Sequence, residues 1–373
     1  MPVAKILILG GYGFTGKRLA WNLLAQSQVE IILGGRRIEK AQGYADQLNA
    51  EFPGGRVSAC FMDAADGKSL GQALRGVDLL LVAAPTTQHA EGVIRAALDS
   101  GADYLDVQLG AQKLALLRSL APDIERAGRC FITEAGFHPG LPAAMVRWAA
   151  GHLDRMDSAM TAGYLNIGRS TPYSEAVDEL MEVFQNYQAQ VFKSGRWTKP
   201  GSYDVRKVDF GGDIGVRRCY SMFFEELRAL PEMVPALREV GFYISGSHWF
   251  VDYVLTLLVM AGLRIAPRQA KRPMGKLLWW GMQTFPKPPY LVLLKIVAGG
   301  EKDGKPMRWE ASVSHPDGYE LTAIPVVACL LQYLDGSARR PGLLMMGHLA
   351  EPVRLFKDME RMGVTVTTPL SPG

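Results

Sequence analysis

Only four cysteines, Cys60, Cys130, Cys219 and Cys329, are spread through the 373 residues, and no two of them form a C-x-x-C pair. Neither a disulfide framework nor a thiol-bound zinc site is suggested, and reduced thiols in a cytoplasmic protein are the expectation. Charge of one sign is also missing. The 41 Lys and Arg residues nearly cancel the 37 Asp and Glu residues, leaving a formal net charge of +4. That balance does not point to a polyanionic partner such as nucleic acid, although it suits a small anionic ligand. No apolar run reaches the roughly 20 residues that a membrane span needs. The nearest, Trp249 to Ile265, carries Asp252 and Arg264, so a buried core helix is expected there, with peripheral membrane contact as the alternative. No leader with a charged start, an apolar middle and a small-residue cleavage site precedes the first strand-like run. Internal repeats and low-complexity tracts are absent too.

Hydrophobic residues make up 48% of the chain and charged residues 21%, a composition that folds rather than one that stays disordered. The length calls for two domains. Short β-rich runs alternate with helical patterns up to about residue 140: Ile6 to Leu9, Val29 to Leu33, Val57 to Met62, Leu79 to Ala83, Tyr104 to Val107 and Cys130 to Thr133. Such alternation predicts βαβ units around a parallel sheet. After His138-Pro139-Gly140 the rhythm changes. A helix from Ala143 to Gly151, a strand from Ala159 to Ile167 and a helix from Ser174 to Val191 are expected. Arg196 to Gly215 reads as irregular or hairpin structure, a possible lid. Tyr290 to Val297 and Met307 to Val313 read as a hairpin turned by Asp303-Gly304. A helix over Leu321 to Leu334, a break at Pro341-Gly342, an amphipathic helix over Glu351 to Met362 and a run from Val364 to Val366 complete the chain.

The stretch Ile8-Leu9-Gly10-Gly11-Tyr12-Gly13-Phe14-Thr15-Gly16 places a G-x-G-x-x-G pattern between the first strand and a helix. The first glycine of that pattern permits a tight turn, the second lets a diphosphate approach the backbone, and the third lets helix pack on strand. The helix N-terminus then faces the anion. In NAD-binding versions a carboxylate about 20 residues later takes the ribose 2′-hydroxyl, whereas an arginine there accommodates a 2′-phosphate. The second strand here ends in Gly34-Gly35-Arg36-Arg37, so Arg36 and Arg37 favour NADP(H). Asp63, after the third strand, is a candidate for the adenine edge, and Ala84 and Pro85, after the fourth, for the nicotinamide half. The fold class is α/β: a Rossmann doubly wound parallel sheet over 1–140, a second α+β domain with a mixed sheet over 141–338, and a segment 339–373 packing back on the first domain.

Tyr104-Leu105-Asp106-Val107 followed by Thr133-Glu134-Ala135-Gly136-Phe137-His138-Pro139-Gly140-Leu141-Pro142 resembles the paired signatures that close the dinucleotide domain in the saccharopine dehydrogenase (saccharopine reductase-like) family. The glycine-rich start, the Gly-Arg after the second strand, Gly318-Tyr319-Glu320-Leu321-Thr322-Ala323 and Pro341-Gly342 resemble it as well. The likeness spans the first 140 residues well and the C-terminal 80 loosely. It implies an NADP-dependent oxidoreductase whose nicotinamide faces a cleft between domains and whose best-known chemistry is C=N reduction or its reverse. The middle section is rich in Trp, Phe, Met and Leu where an amino-dicarboxylate would call for arginines, so saccharopine itself is not the expected substrate.

For proton transfer, His138 is the leading candidate, as general acid or hydrogen-bond donor, because it follows the sixth strand at the end where such folds place ligands. Asp106 and Glu134 are candidates to orient it or to bind an ammonium group, and Tyr164, His248 and His315 are weaker ones. The apolar stretches around 247–263 and 277–280 read either as the lining of a hydrophobic substrate cleft or as core or dimer interface. The reaction expected is hydride transfer to or from a small imine, carbonyl or enoyl group. The alternatives are a non-catalytic NADP(H)-binding redox sensor and a lipid-surface protein. No metal site and no nucleic-acid partner are expected, and a homodimer is.

Overall fold

The structure, a computed structural model, describes residues 3–167, 173, 175–185, 189–201, 204–246 and 248–368. The chain divides into two units, Met1–Ala144 with Tyr319–Met362, and Met145–Gly318 with Gly363–Gly373.

The first unit is built on seven parallel strands. Six correspond to the expected runs: β1 (Lys5–Leu9), β2 (Glu30–Gly35), β3 (Val57–Phe61), β4 (Leu79–Val82), β5 (Asp103–Asp106) and β6 (Cys130–Thr133). A seventh, Gly342–Met345, pairs in parallel with β6, giving the order Gly342–Met345, β6, β5, β4, β1, β2, β3. Ile6, Leu7, Ile8, Leu80, Leu81 and Val82 are fully buried because strands covered on both faces must be apolar at every position, not at alternate ones. β1 lies between β2 and β4, so the order of strands reverses at β1 and β4. At such a switch point the loops leaving the two strands diverge and leave room for a ligand.

The helix Gly318–Leu334 belongs to this unit rather than to the second domain, where the sequence placed it. It is apolar nearly all round, so its pattern alone could not tell one core from the other. The Tyr333 hydroxyl donates to Asp103 Oδ2 at 2.6 Å, and the Arg339 guanidinium pairs with the same carboxylate at 2.9 Å, which ties this segment to the start of β5. The helix Pro352–Arg361 follows, opened by Glu351, whose carboxylate accepts the N–H groups of Val353 and Arg354. The C-terminal segment is shared: Thr365–Thr367 pairs not with this sheet but with the second.

The second unit carries a nine-stranded mixed sheet. Its strands are β7 (Arg155–Asn166), β8 (Val191–Lys193), β9 (Arg196–Thr198), β10 (Val205–Asp209), β11 (Val216–Met222), β12 (Glu239–Ser245), β13 (Leu291–Lys302), β14 (Lys305–His315) and Thr365–Thr367. β12 and β7 run parallel and every other pairing is antiparallel. The β13–β14 hairpin closes on Asp303-Gly304, at φ 51° and 71°, the left-handed pair that a two-residue hairpin requires. Arg196 to Gly215, read as irregular or hairpin structure and a possible lid, supplies β9 and β10, each in an antiparallel hairpin of the sheet; residues 202 and 203 lie outside the described residues.

Three helical segments form a separate core in this unit: Glu175–Gln185, a π turn Val251–Leu255 running into Thr256–Ile265, and Lys271–Thr284. Met181, Val251, Leu255, Val259, Leu263 and Leu278 pack together between them. The expected helix from Ser174 to Val191 is thus shorter, since Val191 already begins β8; Ser174 itself and residue Ser247 lie outside the described residues. The stretch Trp249 to Ile265 is core on one face only. Among the described residues no helix is long and apolar enough to cross a membrane.

Candidate cofactor and active site

The glycine loop leaves β1 at Gly10, where φ is +84°, a conformation that a side chain disfavours. A Cβ on Gly10 would also lie 2.7 Å from Ala84 Cβ, so the loops after β1 and β4 touch at the switch point. Gly16 is fixed more rigidly still: a Cβ there would meet Gly10 O at 2.2 Å, which is how the helix Phe14–Gln26 packs on the end of β1. Gly11, the first glycine of the expected pattern, is buried against Leu33, whereas Gly13 is exposed. Gly13 is the N-cap of that helix and supplies no side-chain cap. The helix therefore presents its first amide groups and the positive end of its dipole at an exposed glycine, the donor set that a diphosphate needs.

Tyr12 connects this loop to the basic turn. A Cβ on Gly35 would lie 2.5 Å from the Tyr12 ring, so the absence of a side chain at the end of β2 is what admits the ring. The Tyr12 hydroxyl accepts the N–H of Arg37 at 3.1 Å, and the Arg37 guanidinium stands over the ring at 5.7 Å. Arg36 and Arg37 are both exposed, and no carboxylate occupies the end of β2. Phe14, exposed in the first helical turn, stacks on Tyr319 at 5.3 Å, and Arg18 lies over the same Tyr319 ring and pairs with Glu320 at 3.4 Å. Gly318-Tyr319-Glu320 thus braces the glycine-loop helix from a distance of 300 residues, a role the residue types alone did not disclose. Thr15 is half-buried in the same turn.

Asp63 follows β3, where its Oδ1 accepts the N–H of Ala65 at 3.0 Å and its own N–H donates to Ser69 Oγ at 3.0 Å. It shapes the loop beside the β2 turn. Ala84 is half-buried and Pro85 exposed after β4.

Asp106, a candidate to orient His138 or to bind an ammonium group, is engaged within the protein. Its side chain is fully buried, and its Oδ1 accepts from Lys113 Nζ at 2.5 Å and from the Gln108 N–H at 3.1 Å, while Oδ2 accepts from Thr133 Oγ1 at 2.9 Å. Lys113 Nζ also donates to Gln108 O and Thr133 Oγ1. The Gln108 amide in turn donates to Ala84 O and to Thr86 Oγ1. A carboxylate so engaged already holds an ammonium, that of Lys113, and it ties the loops after β4, β5 and β6 together. Lys113, a buried cation on a helix whose neighbours are apolar, was not singled out by the sequence.

Glu134 is buried and adopts φ 53°, a left-handed conformation that non-glycine residues seldom take and that marks functional loops. His138 follows within the same loop, its ring 4.3 Å from that of Phe137. Burial pushes its imidazole from an ordinary 6.5 down to about 4. At neutral pH it is uncharged, so it can offer a hydrogen bond but not the imidazolium of a strong general acid. Gly140, at φ +118°, folds this loop back so that a Cβ would meet Gly136 N and O at 2.8 Å.

The weaker candidates make local contacts. Tyr164 is buried against Phe210, and His248 and His315 each accept a nearby backbone N–H, from Phe250 and Asp317. All four cysteines are free thiols, and no cluster that could hold a metal occurs among the described residues.

Comparison with known proteins matches residues 6–129 to the saccharopine dehydrogenase NADP binding domain, which bears out the resemblance and the NADP(H) assignment. Carboxyaminopropylagmatine dehydrogenase of Synechocystis sp. is 24% identical over 70% of this chain and 67% of its own length. Carboxynorspermidine synthase of Vibrio cholerae is 23% identical over 90% of this chain and 89% of its own. Apo saccharopine dehydrogenase (L-Glu forming) of Saccharomyces cerevisiae superposes with a TM-score of 0.68 at 15% identity, covering 98% of this chain and all of that one, so it shares the fold. The domain and these relatives indicate an oxidoreductase that uses NADP.

Proposed function

We propose, from a first unit that carries a saccharopine dehydrogenase NADP binding domain, that this chain interconverts a small imine and the corresponding amine, with saccharopine itself not the substrate. The observation that carries the reading is the exposed Gly13 helix start joined through Tyr12 to the exposed Arg36 and Arg37, a diphosphate cradle next to a 2′-phosphate clamp. NADP(H), when bound, supplies the hydride chemistry.

The chain's own residues bind and orient. Gly11, Gly13 and Gly16 with Tyr12, Phe14 and Thr15 form the loop for the diphosphate, and Asp63 stands toward the adenine side. Ala84 and Pro85 border the nicotinamide side, their loop held by the buried Gln108 amide. Neutral His138 donates a hydrogen bond to the substrate, and Glu134 supplies the carboxylate that meets a substrate ammonium. The names of the dehydrogenase and synthase relatives, which denote amines, favour C–N chemistry over carbonyl or enoyl reduction. A cytoplasmic homodimer formed through the sheet of the second unit is part of this reading. Light scattering checks it, since a mass of one 40.9 kDa chain rules the dimer out.

Calorimetric titration with NADPH and NADH, followed by NADPH oxidation against a panel of imines, ketones and enoyl thioesters, tests the assignment. Tight NADPH binding with turnover of an imine supports it; binding without turnover of any of them leaves a nucleotide-binding sensor in its place.

A further inference from the structure

We infer that the helical layer of the second unit is a docking surface for an anionic lipid leaflet, which its helices enter in plane without crossing. The inference stands independently of the oxidoreductase reading.

Along Trp249 to Ile265 the inner face, Val251, Leu255, Val259 and Leu263, is buried at helical spacing in the core of this layer. The outer face of a helix in a water-soluble unit is ordinarily polar. Here it is Trp249, Tyr253, Val254, Leu257, Leu258 and Ile265, all exposed, with Leu257 at 63% and Ile265 at 85%. Arg264 is the one charged group on that face. The patch continues onto the next helix, because Trp249 contacts Phe250 at 5.8 Å, Phe250 contacts Phe285 at 4.9 Å, and Phe285 contacts Trp280, itself half exposed, at 5.3 Å. The two helices run antiparallel, with Gly262 against Met274 and Gly281 against Leu255.

Charge identifies the occupant. Arg264, Arg272 and Lys276 on these helices and Arg268 in the turn between them are exposed, and among the described residues none of these four enters an ion pair. Between residues 248 and 287 the sequence holds one acid, Asp252, which is half-buried; in the layer's third helix Glu182 pairs with Lys271 and Asp178 accepts the Tyr173 hydroxyl, so the unpaired cations belong to these two helices and the turn between them. A second copy of the chain docking across a two-fold axis would bring this cationic surface against itself, and like charges oppose that contact. An anionic leaflet provides both an apolar layer for Leu257, Leu258 and Ile265 and counter-charge for the arginines, and tryptophan is favoured at the boundary between the two. Since no described helix can span, the element lies in the interface plane.

Co-sedimentation of the full chain with vesicles of phosphatidylcholine alone, or of equal parts phosphatidylcholine and phosphatidylglycerol, tests this. The wild type is expected to bind the anionic vesicles, to bind zwitterionic ones weakly, and to be released by salt. L257E/L258E and R272E/K276E, changes at exposed positions whose folding is checked by circular dichroism and melting, each lower the partition by about tenfold or more. Failure of the wild type to bind anionic vesicles, or binding that neither variant weakens, overturns the inference. So does a dimer in light scattering that L257E/L258E dissociates, because the patch is then a contact between copies.

Discussion

The hydroxyl of Tyr12 accepts the backbone N–H of Arg37 across 3.1 Å, so the glycine loop after β1 and the basic turn after β2 form one braced structure. On the proposed reading of the site, diphosphate and 2′-phosphate recognition are therefore coupled. Tyr12→Phe removes one hydrogen bond worth about 0.5–1.5 kcal/mol and is expected to weaken NADPH by severalfold in calorimetry, with less effect on NADH. Equal weakening of both would show that the brace serves the diphosphate alone.

Arg36→Asp is the sharper test of cofactor choice. Loss of a charged hydrogen bond, about 1.5–3 kcal/mol, predicts roughly a tenfold to hundredfold increase in the Kd for NADPH while NADH binding holds or improves. Calorimetry of the variant with each nucleotide decides it.

Lys113→Met leaves the Asp106 carboxylate buried without its cation and is expected to cost about 3–5 kcal/mol in urea unfolding. The pair Asp106→Asn with Lys113→Met should recover part of that loss, because the stranded charge is gone. A double variant no more stable than Lys113→Met would mean the ion pair is not what holds these loops.

His138 titrates near 4 when folded and near 6.5 in an ordinary setting, so between those values the unfolded chain binds the extra proton. The stability gained by keeping the ring neutral is complete above about pH 6.5 and is lost as pH falls toward 4, up to about 3 kcal/mol. His138→Gln should flatten this part of the profile when urea midpoints at pH 7 and pH 5 are compared. A ring proton titrating near 6.5 by NMR, assigned to His138 by its loss in that variant, would contradict it.

Gly16→Ala places a methyl 2.2 Å from Gly10 O, a backbone atom that cannot swing aside. The variant is expected to lose NADPH binding and several degrees of Tm, whereas Gly13→Ala, at an exposed position, should lose binding with little change in Tm.

The alternating strands and the glycine loop were legible because each rests on a local pattern: buried parallel strands such as Ile6–Leu9 need unbroken apolar runs, and a loop that admits a diphosphate needs glycines at set spacing. What escaped were pairings set by distant residues. Nothing near Lys113 announces that it meets Asp106, nothing near Tyr319 that it stacks on Phe14, and the apolar helix Gly318–Leu334 reads the same whichever core it enters. His138 was singled out by position as a candidate, but its lowered titration depends on burial that only the folded loop creates. The run Trp249 to Ile265 was read as apolar without the information that only one of its faces is covered.

The placement of Gly342–Met345 beside β6 bears on how the chain is made. Residues 145–318 are an insertion within the first unit, so on a ribosome the edge of β6 emerges long before the strand that closes it. At about 5–20 residues per second, an open edge of the kind that templates aggregation stays available for a time on the order of tens of seconds. The nascent chain thus passes through a stage in which six strands are present and the sheet is unfinished, and a chaperone able to shield a bare strand edge would act at that stage.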